Sequence, residues 1–452
     1  MKFEIFGIPL RLHRVLIALI PLAGIVVIAL LVLPRSALRL VAMGCIVLPI
    51  GMVFFDRPKW IFYAMFFILF STIDVFAPVR VHIYLMAFFV VSFTVAVLNG
   101  RRIVYHDPTF IALVAAFVIL AVQSIIVAGD VDASFTRLSQ FAKWLVNVAI
   151  AVQFIRDRRE FRILLLVMAV GIVVSNYLPF FVDIPEQYSS LSLIWGQGVL
   201  RYEGFVFEPN LFAGLQIFFI PILLYFVFIF KKPFIARPVL LVLVGGSIFL
   251  IFLTFSRGGF VGIIALLLLL LVIERRNKPI LAVGLVCIAA VLIMAPAIYW
   301  NRIKSLLDIS SKVTEDYSIA SRLETMKVAM ILGFKNPLFG VGLDNFLHQS
   351  THYVPFRQAV HNPFLQVFCE MGVPGLLVFI AIIAHNIRVI RRLMCRRDDP
   401  EAAQVGRFLL LQQLAVLANG MFIPVAFEST FWFALSLPSM AAYAYRRKPL
   451  PA

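Results

Sequence analysis

Apolar runs of span length recur along the whole chain, cut by charged residues or by Pro and Gly. They predict membrane-crossing helices near 15–33, 40–55, 60–76, 81–98, 109–127, 138–155, 163–181, 209–230, 238–255, 258–273, 279–297, 364–387, 408–426 and 430–445. A spanning helix needs about 20 apolar residues, and these segments approach or meet that length. Two connections stand out by length, 182–208 and 298–363; the second holds the polar stretch from Asn301 to Lys312 and is expected to form several short helices. The pattern predicts an all-α polytopic bundle of about 12–14 spans. It falls into N-terminal helices over 1–181, a block over 182–297, a large helical loop over 298–363 and C-terminal helices over 364–452. The first apolar run follows Arg11 and Arg14 but is span-length and lacks a small-residue cleavage site, so it reads as a retained signal anchor.

Composition excludes the alternatives. Of 452 residues, 62% are apolar and 14% charged, against about 45–50% and 25% in ordinary soluble domains. The net charge of +17 would suggest a nucleic-acid partner in a soluble protein, but in a membrane protein it is first an orientation signal. With the N-terminus cytoplasmic, 26 of the 40 Lys and Arg fall on cytoplasmic connections and both termini lie on that side. No nucleic acid is implied. Cys45, Cys287, Cys369 and Cys395 have neither disulfide-framework nor metal-ligand spacing. The one D-x-D pair, Asp130 and Asp132, has no His near it and reads as a solvated turn.

Ionisable groups inside the spans are few: Asp74, Lys143 and Glu370. A proton-coupled transporter is expected to carry charges and broken helices near the midplane. The polar residues instead gather, in this topology, on the outer face. Arg201-Tyr202-Glu203-Gly204 leads to Glu208-Pro209-Asn210, where Glu208 and Pro209 plainly suit a helix start. Arg201 suits it less, since a cation just before a helix N-terminus opposes the dipole unless an anion sits there too. Ser256-Arg257-Gly258-Gly259 is a tight turn between two apolar runs. Its Arg either snorkels to the interface or offers a planar fork to a phosphate. In the large loop lie Ser321-Arg322-Leu323 and Pro337-Leu338-Phe339-Gly340-Val341-Gly342-Leu343-Asp344-Asn345-Phe346. Their glycines suit turns and their Asp and Asn suit caps; with no strand before it, the G-x-G is no dinucleotide fingerprint. His361-Asn362-Pro363 joins that loop to the next span. Asn362 suits a cap, and the helix N-terminus beside His361 favours a neutral, proton-accepting ring. Of the other histidines, His348 and His352 share this loop.

Taken together and in this order, R-x-x-G-x-x-x-E-P-N at Arg201–Asn210, S-R-G-G at Ser256–Gly259, P-L-F-G-V-G-L-D-N-F at Pro337–Phe346 and H-N-P-F-L-Q at His361–Gln366 resemble the O-antigen ligase and polymerase superfamily. The similarity is strongest over residues 195–390. The resemblance implies a GT-C-like fold in a bacterial inner membrane with a periplasmic active site. It also implies an inverting glycosyltransferase that moves an undecaprenyl-diphosphate-linked glycan without metal or cofactor. The acceptor is lipid A-core in a ligase, a second lipid-linked repeat unit in a polymerase, and Ser or Thr in a protein O-oligosaccharyltransferase; the ligase is favoured. Arg201, Arg257 and His361 are then the catalytic groups. Glu203, Glu208, Asn210, Ser256, Arg322, Asp344, Asn345, His352 and Asn362 are substrate-binding candidates. Glu208 departs from the family, which often has Asp there. A lipid-linked-saccharide flippase is the reading from a different class.

Overall fold

The computed structural model of the chain describes, apart from a few isolated positions, residues 58–71, 81–98, 106–181, 191–193, 200–206, 208–229, 236–275 and 317–446. The spans expected over 15–33 and 40–55, nearly all of that over 279–297, and residues 298–316 of the large loop lie outside the described residues. Among the described residues, thirteen α-helices dominate. They are α1 (Pro58–Ser71), α2 (Val81–Leu98), α3 (Pro108–Ser124), α4 (Val131–Val152), α5 (Arg158–Tyr177), α6 (Pro209–Ile229), α7 (Ala236–Leu253), α8 (Arg257–Ile273), α9 (Tyr317–Lys335), α10 (Phe346–Ser350), α11 (Pro363–Met394), α12 (Pro400–Gly420) and α13 (Ser429–Ala444). Four helical stretches among the described residues, 108–127, 158–180, 209–229 and 363–394, are long and apolar enough to cross a membrane. The protein is an all-α polytopic membrane protein.

The chain forms two compact units. One comprises residues 1–104 and 162–183 and the other residues 105–161 and 184–452. In the first, α1 and α2 share an aromatic seam in which the Phe62 and Phe89 rings stack 5.7 Å apart. The second unit holds every candidate residue of the sequence reading.

Several helix starts in the second unit share one local rule. An acceptor side chain precedes Pro, whose missing N–H is no loss in the first turn. Asp107 Oδ1 accepts from Phe110 N at 3.0 Å, Asp399 Oδ1 from Ala402 N at 3.1 Å, and Asn362 Oδ1 from Phe364 N and Leu365 N at 3.0 and 3.1 Å. Such caps contribute about 1 kcal/mol each. The core between α3, α4, α11 and α13 is aromatic, with Phe117 against Phe141, Phe379 and Trp432. Pairs in this geometry add roughly 0.5–1.5 kcal/mol beyond burial. Helices α6, α8 and α12 approach closely at Gly214, Gly258 and Gly262, which surround the buried Asn419 of α12. Small residues at such crossings let backbones approach inside a membrane.

The structure corrects several sequence expectations. The loop over 182–208 contains an antiparallel ribbon, β3 (Leu191–Leu193) with β4 (Leu200–Tyr202), in which Ser192 faces Arg201. A second small ribbon, β1 (Glu4–Ile5) with β2 (Ile8–Pro9), lies at the N-terminus. The expected span 138–155 begins earlier, at Val131, so Arg137 stands on a helix. The expected span 408–426 is shifted: α12 ends at Gly420, leaving 421–428 as an irregular connection. The expected span 364–387 is a helix over 363–394, broken at Gly372 (φ 70°, ψ −170°) with Pro374 just after.

That break has a definite filling. A left-handed glycine and a proline stop the i→i−4 ladder, and the P-L-F-G-V-G loop supplies the missing partners. Val341 N donates to Cys369 O at 2.8 Å, Gly342 N to Glu370 O at 3.2 Å, and Val373 N to Pro337 O at 2.8 Å. Gly340 is required there, because a Cβ on it would lie 2.3 Å from the Glu370 carbonyl carbon.

Candidate active site

Asn210, in the first turn of α6, is a hub. Its Oδ1 accepts from Arg201 Nη2 at 3.2 Å and from Ser256 Oγ at 2.8 Å, and its Nδ2 donates to Glu208 Oε1 at 2.6 Å. Glu208 itself caps α6: its other oxygen accepts from Leu211 N, and its carbonyl accepts from Phe212 N. The helix-start reading of Glu208 therefore holds, and the same carboxylate also orients Asn210. Arg201 is held a second time, through Nε to Thr254 O at 2.8 Å. Glu203, in the turn after β4, is buried.

Ser256 caps α8, accepting from Gly259 N at 3.1 Å, and is itself buried. The residue before it, Phe255, has φ +48°, a left-handed conformation that costs a non-glycine residue roughly 1–2 kcal/mol. Arg257 follows as the first residue of α8. Two guanidinium-bearing residues thus stand at the N-termini of two helices bonded to each other through Asn210. Helix N-termini present free N–H groups and partial positive charge. Cations placed there add to a field that an anion relieves, as in phosphate sites at helix starts.

His361 lies just before the Asn362 cap of α11. Its Nε2 is 3.1 Å from the Gln358 amide nitrogen. Its pKa is lowered to about 4, chiefly by burial and then by the Arg322 charge on α9, with the Phe422 backbone opposing both. The ring is neutral at neutral pH. The same Phe422 lies against the first turn of α8, where a Cβ on Gly258 would be 2.8 Å from Phe422 Cβ. Asn362 Nδ2 reaches Met421 Sδ at 3.8 Å. The irregular 421–428 connection therefore touches both the helix that carries Arg257 and the turn that carries His361.

Its far end carries a group the sequence reading missed. Glu428 lies 3.8 Å from Arg137 Nη1, and Arg137 Nη2 lies 3.2 Å from Asp344. Burial raises the Glu428 pKa, Arg137 lowers it, and the charges of Asp344 and Glu208 raise it again. That influence places Glu428 within electrostatic reach of the Asn210 network. Asp344, itself at φ +57°, gives its N–H to Glu370 Oε2 at 3.0 Å. One signal pointed toward Arg137: it is one of the basic residues off the cytoplasmic connections. Nothing in the local pattern marks Glu428.

The remaining candidates are placed as follows. Asn345 uses its amide to tie down the turn before α4: Oδ1 accepts from Asp130 N at 2.6 Å, and Nδ2 donates to Asp130 O and Ser134 Oγ. His352 stands exposed on the turn after α10, outside these networks. Among the described residues no group of three or more His, Cys, Asp or Glu is placed to hold a metal ion.

Residues 239–380 match the O-antigen ligase family. Over that stretch the chain is similar to the O-antigen ligase family. The matched stretch contains S-R-G-G, Arg322, the loop that fills the α11 break, and His361, while Arg201–Asn210 precedes it and is bonded to it through Ser256. The family implies a membrane-embedded transfer of lipid-linked sugar. No curated protein matches the chain.

Proposed function

We propose that the protein is an O-antigen ligase that moves a glycan from undecaprenyl diphosphate onto lipid A-core at the periplasmic face of a bacterial inner membrane, with inversion and without metal. The observation that carries this reading is the Asn210 hub, which joins Arg201, the cap of Glu208 and the cap of the Arg257 helix.

Bond breaking leaves negative charge on the lipid diphosphate. Fixed cations and oriented N–H groups stabilise such charge without reorganising, and Arg201 and Arg257 at two helix starts offer both. His361 accepts a hydrogen bond from the acceptor hydroxyl and aligns it for attack on the anomeric carbon. A carbon–oxygen bond forms to the acceptor as the bond to phosphate breaks, and the hydroxyl proton passes to His361. A diphosphate drawn toward Arg322 offsets that cation, so donor binding raises the proton affinity of the ring. Glu203 and His352 are left to the acceptor side, where ligase, polymerase and protein glycosyltransferase differ.

The basic bias supports cytoplasmic termini. At the opposite end of the unit from His361, Arg158 pairs with Asp399, Arg396 meets Tyr445 O, and Arg407 lies 3.2 Å from Glu274. The test is reconstitution with an undecaprenyl-diphosphate glycan and either lipid A-core or a second lipid-linked repeat. Extension of lipid A-core supports the ligase, extension of the repeat makes the protein a polymerase, and transport without transfer makes it a flippase.

A further inference from the structure

Helix α9 has two faces. Val328, Ala329 and Leu332 are buried against α11 and the loop that follows α9. On the other side Leu323, Met330, Ile331 and Phe334 are exposed, Phe334 to 74%, and Leu338 just beyond the helix is 66% exposed. Spacing of 323, 327, 330, 331 and 334 is that of one helical stripe. Lys327 stands within it and Lys335 borders it, and with Met330, Ile331 and Phe334 they line a shallow groove of about 550 Å³.

The stripe does not end at the helix. Leu338 abuts Gly372, since a Cβ there would lie 2.8 Å from the Leu338 carbonyl carbon, and Pro337 O accepts from Val373 N. From Val373 the exposed apolar side of α11 continues through Leu377, 60% exposed, and Ile380. That helix is long and apolar enough to cross the membrane, so its exposed apolar side faces lipid. The α9 stripe is continuous with a lipid-facing surface.

We infer that α9 lies at the membrane surface beside the site, its stripe among the acyl chains and its lysines at the phosphates of anionic phospholipid. The charge supports this occupant. Lys335 bonds the neutral Tyr353 hydroxyl at 2.9 Å and keeps its charge at the edge of the stripe, while Lys327 within the stripe pairs with Glu324 at 2.8 Å on a long chain that reaches interfacial phosphate. Arg322, whose charge acts on His361, stands on this same helix. A helix floated at headgroup depth therefore fixes the level at which His361 works. This contact holds whichever acceptor the site serves.

The test places a photo-reactive benzoylphenylalanine at Phe334 in the full chain. The chain is reconstituted in vesicles of phosphatidylglycerol and phosphatidylcholine, and the adducts are read by mass spectrometry. The expected result is phospholipid adducts at 334, with phosphatidylglycerol at least twofold enriched over its bulk share. In Lys327→Glu/Lys335→Glu the adducts persist and the enrichment disappears. Adducts at 334 to residues 276–316 or to a second copy of the chain overturn the inference. So does the absence of any lipid adduct, or lipid adducts without enrichment in the native chain.

Discussion

The hydroxyl of Ser256 donates to Asn210 Oδ1 at 2.8 Å, so the cap of the helix that begins with Arg257 is bonded to the first turn of the helix that follows Arg201. Two motifs 46 residues apart are one structural unit. Asn210→Leu removes the acceptor for both Arg201 and Ser256 while leaving the Glu208 cap of α6. Misplacing a charge-stabilising group costs about 10²–10³ in turnover. We expect transfer to fall by about that factor with little change in melting temperature, measured with purified protein and lipid-linked donor. A melting loss that accounts for the activity loss would reduce Asn210 to a packing residue.

Ser256→Ala separates two effects. It removes the α8 cap, worth about 1 kcal/mol of stability, and the bond to Asn210. Ser256→Asp restores a cap acceptor but not the donated hydrogen. If the bond to Asn210 matters, the Asp variant melts near the native chain and still transfers poorly; recovery of both would show that capping alone matters.

His361 sets a pH signature. Its folded pKa is lowered to about 4, below the usual value near 6.5, so the ring stays neutral as pH falls through 6.5. The kcat/KM profile, which reports free-enzyme groups, should show no limb at 6.5 from this residue and an acid limb close to 4. Arg322→Gln should move that limb upward, because it removes the neighbouring positive charge. The unfolded chain binds a proton to this ring more readily than the folded one. Stability from His361 is therefore complete above about 6.5 and declines as pH falls toward 4. Comparing melting curves of the native chain and His361→Gln across that window checks the sign.

Gly340→Ala tests the filling of the α11 break. The glycine has φ +68°, and a Cβ would lie 2.3 Å from the Glu370 carbonyl carbon. Left-handed strain and overpacking together cost about 2–5 kcal/mol. We expect a sharp fall in folded yield and melting temperature. Gly245→Ala on α7, where a Cβ meets nothing within 4 Å, should be neutral or slightly stabilising.

Hydropathy made the helices legible where one apolar run is one straight helix: 81–98 and 258–273 agree with the structure to within a residue. The same pattern missed the Gly372 break, because one residue's φ leaves the apolar run intact. It also placed 408–426 too late, since Met421, Phe422 and Ile423 are apolar yet belong to an irregular connection. In the site, helix starts were readable from Glu208-Pro209, Ser256-Arg257 and Asn362-Pro363. The hub role of Asn210 was not, because its partners Arg201 and Ser256 come from a ribbon and another helix. Phe422 and Glu428 carry no motif; only the packing of α12 and α13 brings them to His361 and Arg137.

The central claim is that Arg201, Arg257 and His361 serve one metal-free transfer from a lipid diphosphate. It is tested most directly by single-turnover transfer from an undecaprenyl-diphosphate glycan to lipid A-core in EDTA, comparing the native chain with Arg257→Ala and His361→Ala at matched folded protein. The account predicts full transfer by the native chain in EDTA and a loss of at least about 10²-fold in each variant. Transfer that needs Mg²⁺ or Mn²⁺, or that survives either substitution, would contradict it.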